Sequence, residues 1–198
     1  MNERLSFSVK YFDEISNVIK RLDRDNLEKL VDNLVKVKKN KGRIFFLGVG
    51  GSAGNCSHAV NDFRKLCNIE SYAPTDNVSE LSARTNDEGW ETVFSSWLKI
   101  SKLSEKDAII IFSVGGGNKQ KNVSANLVNA IDYAKSKNTK IFSIVGKSDG
   151  YAYKLSDICI LVPEVNVERI TPHSEAFQAV IWHCIVSHPL LQANSTKW

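Results

Sequence analysis

The sequence predicts an α/β protein whose parallel sheet is covered by helices on both faces. Short apolar segments at 44–47, 107–113, 140–145 and 158–162 alternate with amphipathic helical segments. Strands that are apolar at every position are typical of parallel sheets buried on both faces, and their alternation with helices indicates βαβ units. Two of these strands run directly into glycine-rich turns.

The length and composition fit one globular domain. The chain has 198 residues, of which 42% are hydrophobic and 24% are charged. This is enough for a core that needs no disulfide or structural metal. We predict a single domain over 1–198, with N-terminal helices in 1–40 and the α/β core in 41–198.

The charge and cysteine patterns indicate a cytoplasmic protein. The net charge is +4, and a lysine cluster at 36–41 supplies much of the excess. We place this cluster at a helix end, where cations complement the helix dipole, and expect no nucleic-acid partner. The four cysteines lack CxxC spacing, which favours reduced thiols. The charged N-terminus does not resemble a signal peptide and no apolar run reaches membrane-spanning length, so we expect no membrane partner.

Two amphipathic helices are predicted before the first strand. In 5–22, Phe12, Ile15 and Ile19 recur at helical spacing, and residues 25–28 resemble a capping box for a second helix. These helices either cover a face of the sheet or pack against another subunit.

The first strand leads into the most informative part of the chain. Gly50, Gly51 and Ser52 follow it, and a helix is predicted from Ala53 onward. Backbone amides and the helix dipole at such a turn attract an anion, although any tight turn of an α/β protein has a similar sequence. The turn matches neither the Walker pattern nor the dinucleotide fingerprint.

His58 and Asp62 lie four residues apart, on one face of the predicted helix. We interpret them as a catalytic or metal-binding pair two turns from a phosphate cradle. The alternative for such a pair is a surface ion pair.

The middle of the chain predicts a short strand at 71–74, a short helix at 78–84, a loop at 85–89 and a helix over 90–100. The aromatic stripe of this last helix is interpreted as core or subunit interface.

The strand at 107–113 repeats the first unit, because glycines 115–117 follow it and a helix is predicted over 123–135. A short helix at 150–155 separates the last two strands. Ligands of doubly wound sheets bind beyond the carboxyl ends of the strands, at the switch in strand order. Both glycine turns are therefore predicted to serve one site.

The last segment, 168–188, predicts a strongly apolar helix, with Thr171 as N-cap and Pro172 as first helical residue. Glu175 and His183 interrupt its apolar pattern. A histidine in such a helix is either a core residue with satisfied hydrogen bonds or part of a site.

Together these motifs resemble the sugar isomerase (SIS) domain proteins and, within them, the bacterial phosphoheptose isomerases. The resemblance covers most of the chain. The segments that carry it are residues 48–52, His58 with Asp62, residues 86–89, Ser113 with the glycines after it, and Arg169, Glu175 and His183.

The resemblance implies a flavodoxin-like, three-layer αβα sandwich with five parallel strands, and a homotetramer with sites at subunit interfaces. It implies conversion of sedoheptulose 7-phosphate to D-glycero-heptose 7-phosphate through an enediol(ate). This is the first step of bacterial heptose synthesis for lipopolysaccharide or capsule. A zinc ion is the implied cofactor.

The resemblance also implies residue roles. Asp62 and His183 are the implied acid/base pair, and His58, Asp62, Glu175 and His183 the implied metal shell. The implied substrate-binding residues are Gly50, Gly51, Ser52, Asn86, Asp87, Ser113, Gly115, Gly116, Ser124 and Glu175.

Several of these positions depart from the family pattern. Asp62 stands where the family has glutamate, and Glu175 where it has glutamine. Eight helical residues span about 12 Å, so Glu175 and His183 share one ion only if Glu175 reaches inward or comes from another subunit. The second glycine turn has lost hydroxyl donors, for which Lys119 or Lys121 would compensate.

Two other functions remain open from the sequence: an isomerase of a different sugar phosphate, and a non-catalytic tetrameric binding protein. The latter would be a partner of the replication initiator or a sugar-phosphate sensor. The ionisable or metal-binding side chains at all four implied metal positions favour an enzyme.

Overall fold

The computed structural model describes residues 3–196, with side chains from residue 6 onward. Residues 1–2 and 197–198, which the domain prediction includes, lie outside the described part. Residues 3–196 contain eight α-helices: α1 (Glu3–Arg21), α2 (Arg24–Lys39), α3 (Gly51–Cys67), α4 (Val78–Glu88), α5 (Val93–Ile100), α6 (Ala125–Ser136), α7 (Tyr151–Leu155) and α8 (Ile170–Val186). The five strands are β1 (Ile44–Leu47), β2 (Ser71–Tyr72), β3 (Ala108–Ser113), β4 (Lys140–Val145) and β5 (Ile158–Leu161). Short 3₁₀ helices occupy Pro74–Asp76 and Val167–Arg169.

The strands form one parallel sheet in the order β2-β1-β3-β4-β5. This is the flavodoxin-like order, so the predicted five-stranded parallel sheet is confirmed. The order switches between β1 and β3, and these are the two strands that lead into glycine turns. The sheet therefore brings both turns to the edge where such folds bind ligands.

Successive side chains of the strands point alternately into two hydrophobic cores, one on each face of the sheet. Phe46 and Ile110 lie in the core beneath α2, α3 and α8, whereas Phe45 and Ile109 lie in the core beneath α5, α6 and α7. Because side chains alternate along a strand, continuously apolar strands must be covered on both sides. The three-layer αβα arrangement is confirmed.

An ion pair joins the starts of the two central strands. Asp107 is buried and accepts hydrogen bonds from the backbone amide and guanidinium of Arg43 and from the amide and hydroxyl of Ser104. Burial opposes the charge, but the hydrogen bonds from Arg43 and Ser104 outweigh it and hold the pKa of Asp107 below its usual value. This contact fixes β1 against β3 before their turns begin.

The first helix packs against the core through little of its surface. Among its described side chains only Val18 is buried, while Phe7, Phe12 and Ile19 are exposed by 57%, 63% and 48%. The predicted apolar stripe therefore faces outward at Phe12 and Ile19.

A polar contact ties α1 to the start of α8. The Glu14 carboxylate accepts two bonds from Arg169, one from Asn166, and pairs with His173 Nε2 at 2.8 Å. These contacts hold the pKa of Glu14 far below its usual value.

Several predicted helix boundaries were wrong. Asp23, not Asp25, caps α2, since its side chain accepts the amide of Asn26. Of the predicted loop at 85–89, residues 85–88 form the last turn of α4 and only Gly89 lies beyond it. Helix α8 begins at Ile170, so Thr171 is not its N-cap. None of the helices within residues 3–196 is both long and apolar enough to span a bilayer.

Candidate active site

The first glycine turn connects β1 to α3 at the switch point. Gly50 has φ +63° and ψ −129°, a conformation that side chains disfavour, and α3 starts at the next residue. A Cβ at Gly50 would have no neighbour within 4 Å, so this turn is open on its outer side. The turn therefore leaves room for a ligand at the helix N-terminus.

Helices α3 and α8 pack side by side and run in the same direction. Contacts advance in step along both helices, from Gly51 beside Glu175 to the Cys67 thiol, which donates to the backbone carbonyl of Val186. The polar residues of the two helices face each other along this contact. All the acid, imidazole and amide groups described next lie on it.

A buried amide organises the end of this contact nearest the sheet edge. Gln178 is fully buried; its Nε2 donates to Ser52 Oγ (3.0 Å), and its Oε1 accepts from Asn55 Nδ2 (2.8 Å). Asn55 also donates to the backbone carbonyl of Glu175 (2.9 Å). Neither Gln178 nor Asn55 was among the predicted site residues. The signal was present, since Gln178 and His183 are the two polar side chains in the otherwise apolar stretch 176–186.

Two turns further along α3, the structure brings His58, Asp62 and His183 together. The Nε2 atoms of His58 and His183 lie 3.5 Å and 3.4 Å from Asp62 Oδ2. The imidazoles are about half exposed, and the carboxylate between them is 10% exposed. One ligand atom from each residue lies within 4.8 Å of the others.

Hydrogen bonds hold Asp62 from behind. The buried indole of Trp182 donates to Oδ2 (3.1 Å), and Asn61 Nδ2 donates to Oδ1 (3.0 Å). His183 Nδ1 lies 2.8 Å from the carbonyl of Ala179. This contact favours a proton on Nδ1 and leaves the Nε2 lone pair facing the carboxylate.

These three side chains fit a divalent metal ion. Two imidazole nitrogens and a carboxylate oxygen are the donor set of three-ligand zinc sites that keep a position for water or substrate. The carbonyl that fixes the second nitrogen of His183 is the partner that such ligands normally have.

Glu175 is not part of this group within the single chain. A Cβ built on Gly51 would lie 2.6–2.7 Å from its carboxylate atoms, so the carboxylate rests against the first turn. Glu175 lies two turns of helix away from His183. Its predicted role as a metal ligand stays a prediction, and it depends on a second subunit.

The second glycine turn packs against α7. Ser113 Oγ accepts from the amide of Gly116, and the carbonyls of Gly116 and Gly117 accept from the amides of Ala152 and Tyr151. The Ser113 hydroxyl oxygen and the Gly116 amide are therefore already hydrogen-bonded to each other within the turn.

A cavity of about 210 Å³ lies beside this turn, lined in part by Gly115, Ser124 and Lys147. The predicted compensating residue Lys119 instead pairs with Asp132 at 2.8 Å and lies above the Tyr151 ring. Burial opposes the Asp132 charge, but hydrogen bonds from Lys119 and Tyr151 outweigh it and lower the pKa of Asp132. Lys147, which was not among the predicted residues, lines this cavity together with the acidic Asp149.

Asn86 and Asp87 lie in the last turn of α4, where both are exposed and joined by a hydrogen bond of 2.8 Å. No side chain of α4 is buried. Their predicted role in substrate binding stays a prediction.

The fold and the site define a class: a doubly wound α/β protein with two glycine turns at its ligand-binding edge and a His–Asp–His group beside them. Residues 10–146 match the SIS domain family. The chain belongs to this family.

Two curated proteins are similar to this chain in sequence. The chain is 30% identical over 154 residues to the lincomycin biosynthesis protein LmbN of Streptomyces lincolnensis, which covers 74% of the chain but only 56% of LmbN. It is 27% identical over 170 residues to the phosphoheptose isomerase of Helicobacter pylori (strain P12), covering 83% of the chain and 85% of that protein.

The structure of phosphoheptose isomerase GmhA from Neisseria gonorrhoeae superposes with a TM-score of 0.78 at 20% identity, covering 93% of this chain and 95% of that one. This likeness shows the shared fold.

Proposed function

We propose that the protein is an aldose–ketose isomerase that converts sedoheptulose 7-phosphate to D-glycero-heptose 7-phosphate. The observation that carries the proposal is the His58–Asp62–His183 group. Isomerisation moves one proton between neighbouring carbons and another between their oxygens, and a carboxylate with an imidazole supplies both transfers near neutral pH. Family membership and the similarity to phosphoheptose isomerases support the substrate class.

In the proposed reaction, Asp62 removes the proton from the carbon next to the carbonyl and returns it to the neighbouring carbon. His183 carries the oxygen-bound proton on Nε2 while no ion occupies that nitrogen, because one lone pair cannot hold a proton and a metal ion at once. Its ring is held for this by the contact between Nδ1 and Ala179. The enediol(ate) forms between these two transfers.

We propose that zinc binds the same three residues, His58, Asp62 and His183, in a second state of the site, in which His183 Nε2 is a ligand and carries no proton. When bound, it polarises the substrate carbonyl and stabilises negative charge on the neighbouring oxygens. The donor set supports zinc, because imidazole and carboxylate ligands at these positions suit it.

The phosphate is proposed to bind at the carboxyl edge of the sheet. The cavity beside Ser124 and Lys147 supports this, since it joins a cation to the start of α6. The residues proposed to line the substrate site are Gly50, Gly51, Ser52, Ser113, Gly115, Gly116, Ser124 and Glu175, with Asn86 and Asp87 contributed by α4.

We propose a homotetramer with sites at its interfaces. The exposed Phe7, Phe12 and Ile19 of α1 support a subunit contact, since large apolar side chains on one helix favour burial against a partner. Helix α4, without a buried side chain, is proposed to place Asn86 and Asp87 on a neighbouring subunit. The four free thiols favour a reducing compartment, and we propose the cytoplasm.

A second candidate, isomerisation of a different sugar phosphate, is favoured by the second glycine turn. Ser113 and Gly116 bond to each other there, and Lys147 stands near the cavity instead of further hydroxyls. Such a turn suits a substrate whose phosphate is held by a lysine and backbone amides instead of by several hydroxyls.

The test is incubation of purified protein with sedoheptulose 7-phosphate in D₂O, with and without a chelator. Isomerisation through an enediol(ate) incorporates deuterium at the receiving carbon. His183→Ala is expected to abolish turnover and leave the oligomer intact. His188→Ala is the matched control, because His188 lies in the same segment but pairs with Glu28.

Retained activity in His183→Ala would refute the acid/base assignment. Absence of product from the wild-type protein with every metal tested would favour another sugar phosphate or the binding protein.

A further inference from the structure

The Asp62 carboxylate must be held in place for the His–Asp–His group to work. Both imidazoles face the same oxygen, Oδ2, at 3.5 Å and 3.4 Å. Aspartate is short, so a rotation of its carboxylate would move that oxygen away from both rings.

Trp182 provides a donor whose direction is fixed by the core. Its side chain is 1% exposed and stacks on Phe112 of β3, with ring centroids 5.8 Å apart and an angle of 16°. Its Nε1 donates to Asp62 Oδ2 at 3.1 Å. An indole N–H is a hydrogen-bond donor only, and it neither titrates nor binds a metal ion near neutral pH. Trp182 can therefore affect a bound ion only through Asp62.

We propose that Trp182 is a positioning residue that holds Asp62 Oδ2 between His58 and His183 for binding of a divalent ion. This rests on the metal site of the proposed function. The position combines two duties: the ring fills the core, and the N–H orients the carboxylate. The indole also contacts both imidazoles, with centroids 5.3 Å and 4.8 Å away, so all four side chains are packed as one unit.

The test measures metal affinity in Trp182→Phe, which keeps an aromatic ring and removes the N–H. Phe46→Leu is the control, because Phe46 belongs to the same aromatic cluster through Phe112 but has no N–H to donate to Asp62. Zn²⁺ affinity is measured by competition with a chromogenic chelator, and Co²⁺ geometry by visible absorption. Folding is followed by circular dichroism.

Trp182→Phe is expected to weaken Zn²⁺ binding by about 10- to 100-fold, the usual effect of losing an outer hydrogen bond, and to change the Co²⁺ spectrum. Phe46→Leu should leave both unchanged at comparable loss of stability. With Asp62→Asn already present, Trp182→Phe should weaken binding no further. The proposal would be overturned if Trp182→Phe and Phe46→Leu lost equal Zn²⁺ affinity, or if Trp182→Phe lost none.

A second measurement does not require the variant to fold. In ¹⁵N-labelled wild-type protein, Zn²⁺ should shift one of the four tryptophan indole N–H signals, and Asp62→Asn should abolish that shift. Four unmoved signals in a protein that binds Zn²⁺ overturn the role of Trp182 alone. A wild-type protein that binds no metal overturns the proposed metal site as well.

Discussion

Gly51 offers a way to separate the function of Glu175 from the stability of the fold. A Cβ at this position would lie 2.6–2.7 Å from the Glu175 carboxylate and meets no closer backbone atom. Normal carbon contacts begin near 3.5 Å, so Gly51→Ala must displace the carboxylate by about 1 Å. Gly51 is the first residue of α3 and its φ is not positive, so alanine fits the backbone.

The two expected effects differ in size. Alanine favours helix over glycine by at most about 1 kcal/mol, which in a chain of this size corresponds to a melting shift of about 2–4 °C. A displacement of about 1 Å in a substrate-positioning group can reduce kcat/KM by about 100-fold. We therefore expect Gly51→Ala to keep its stability and lose most of its activity.

The control is Gly54→Ala, three residues further along the same helix, where a Cβ meets nothing within 4 Å. It should gain similar stability and keep its activity, as measured by thermal melting and by isomerase kinetics. In a Glu175→Ala background, Gly51→Ala should reduce kcat/KM no further. Equal activities in Gly51→Ala and Gly54→Ala would refute the role of Glu175, and a large fall in melting temperature would show that the carboxylate cannot move aside.

Two further predictions concern the ion pairs of the fold. Asp107→Ala should lower the free energy of unfolding by about 3 kcal/mol, or the melting temperature by roughly 6–12 °C, because it leaves Arg43 without its buried partner. Lys140→Ala, which breaks an exposed pair with Asp157, should lower it by less than about 1 kcal/mol. Equal losses of stability in the two variants would contradict the burial argument. Glu14 has a folded pKa below that of an unfolded glutamate, because Arg169 and its neighbours donate to it. Its contribution is therefore complete above about pH 4.3 and is lost as the pH falls toward the folded pKa. Glu14→Gln should flatten the acid side of the melting profile, and an unchanged profile would contradict this.

The sheet was predictable because its strands are apolar at every position and its central strands end in glycines. The pairing of His58 with Asp62 was also predictable, since residues four apart share a helix face. The length of α4 could have been found in the same way. Arg84 pairs with Glu80 and Glu88 at i−4 and i+4, and these contacts extend the helix through the segment that we predicted as a loop.

Other features depend on partners far away in sequence. Trp182 lies 120 residues from Asp62, and nothing in its own segment distinguishes it from a core aromatic residue. The second glycine turn looked like a free phosphate loop, but its carbonyls accept the first amides of α7. The start of α8 was misplaced because Asn166, which accepts the amide of Glu168, begins a 3₁₀ turn before Thr171.

The parallel packing of α3 and α8 decides how the site is divided. Gly51 is matched with Glu175, and Asp62 with Trp182, so neither helix can slide without breaking contacts at both ends. Eight residues of helix separate Glu175 from His183 by about 12 Å along the axis. Within one chain, the Glu175 carboxylate at the glycine turn therefore lies apart from the His58–Asp62–His183 group. The predicted role of Glu175 as a metal ligand therefore requires a second copy of the chain, whereas in its own chain the carboxylate lies against the first glycine turn, where we propose that it contacts the ligand.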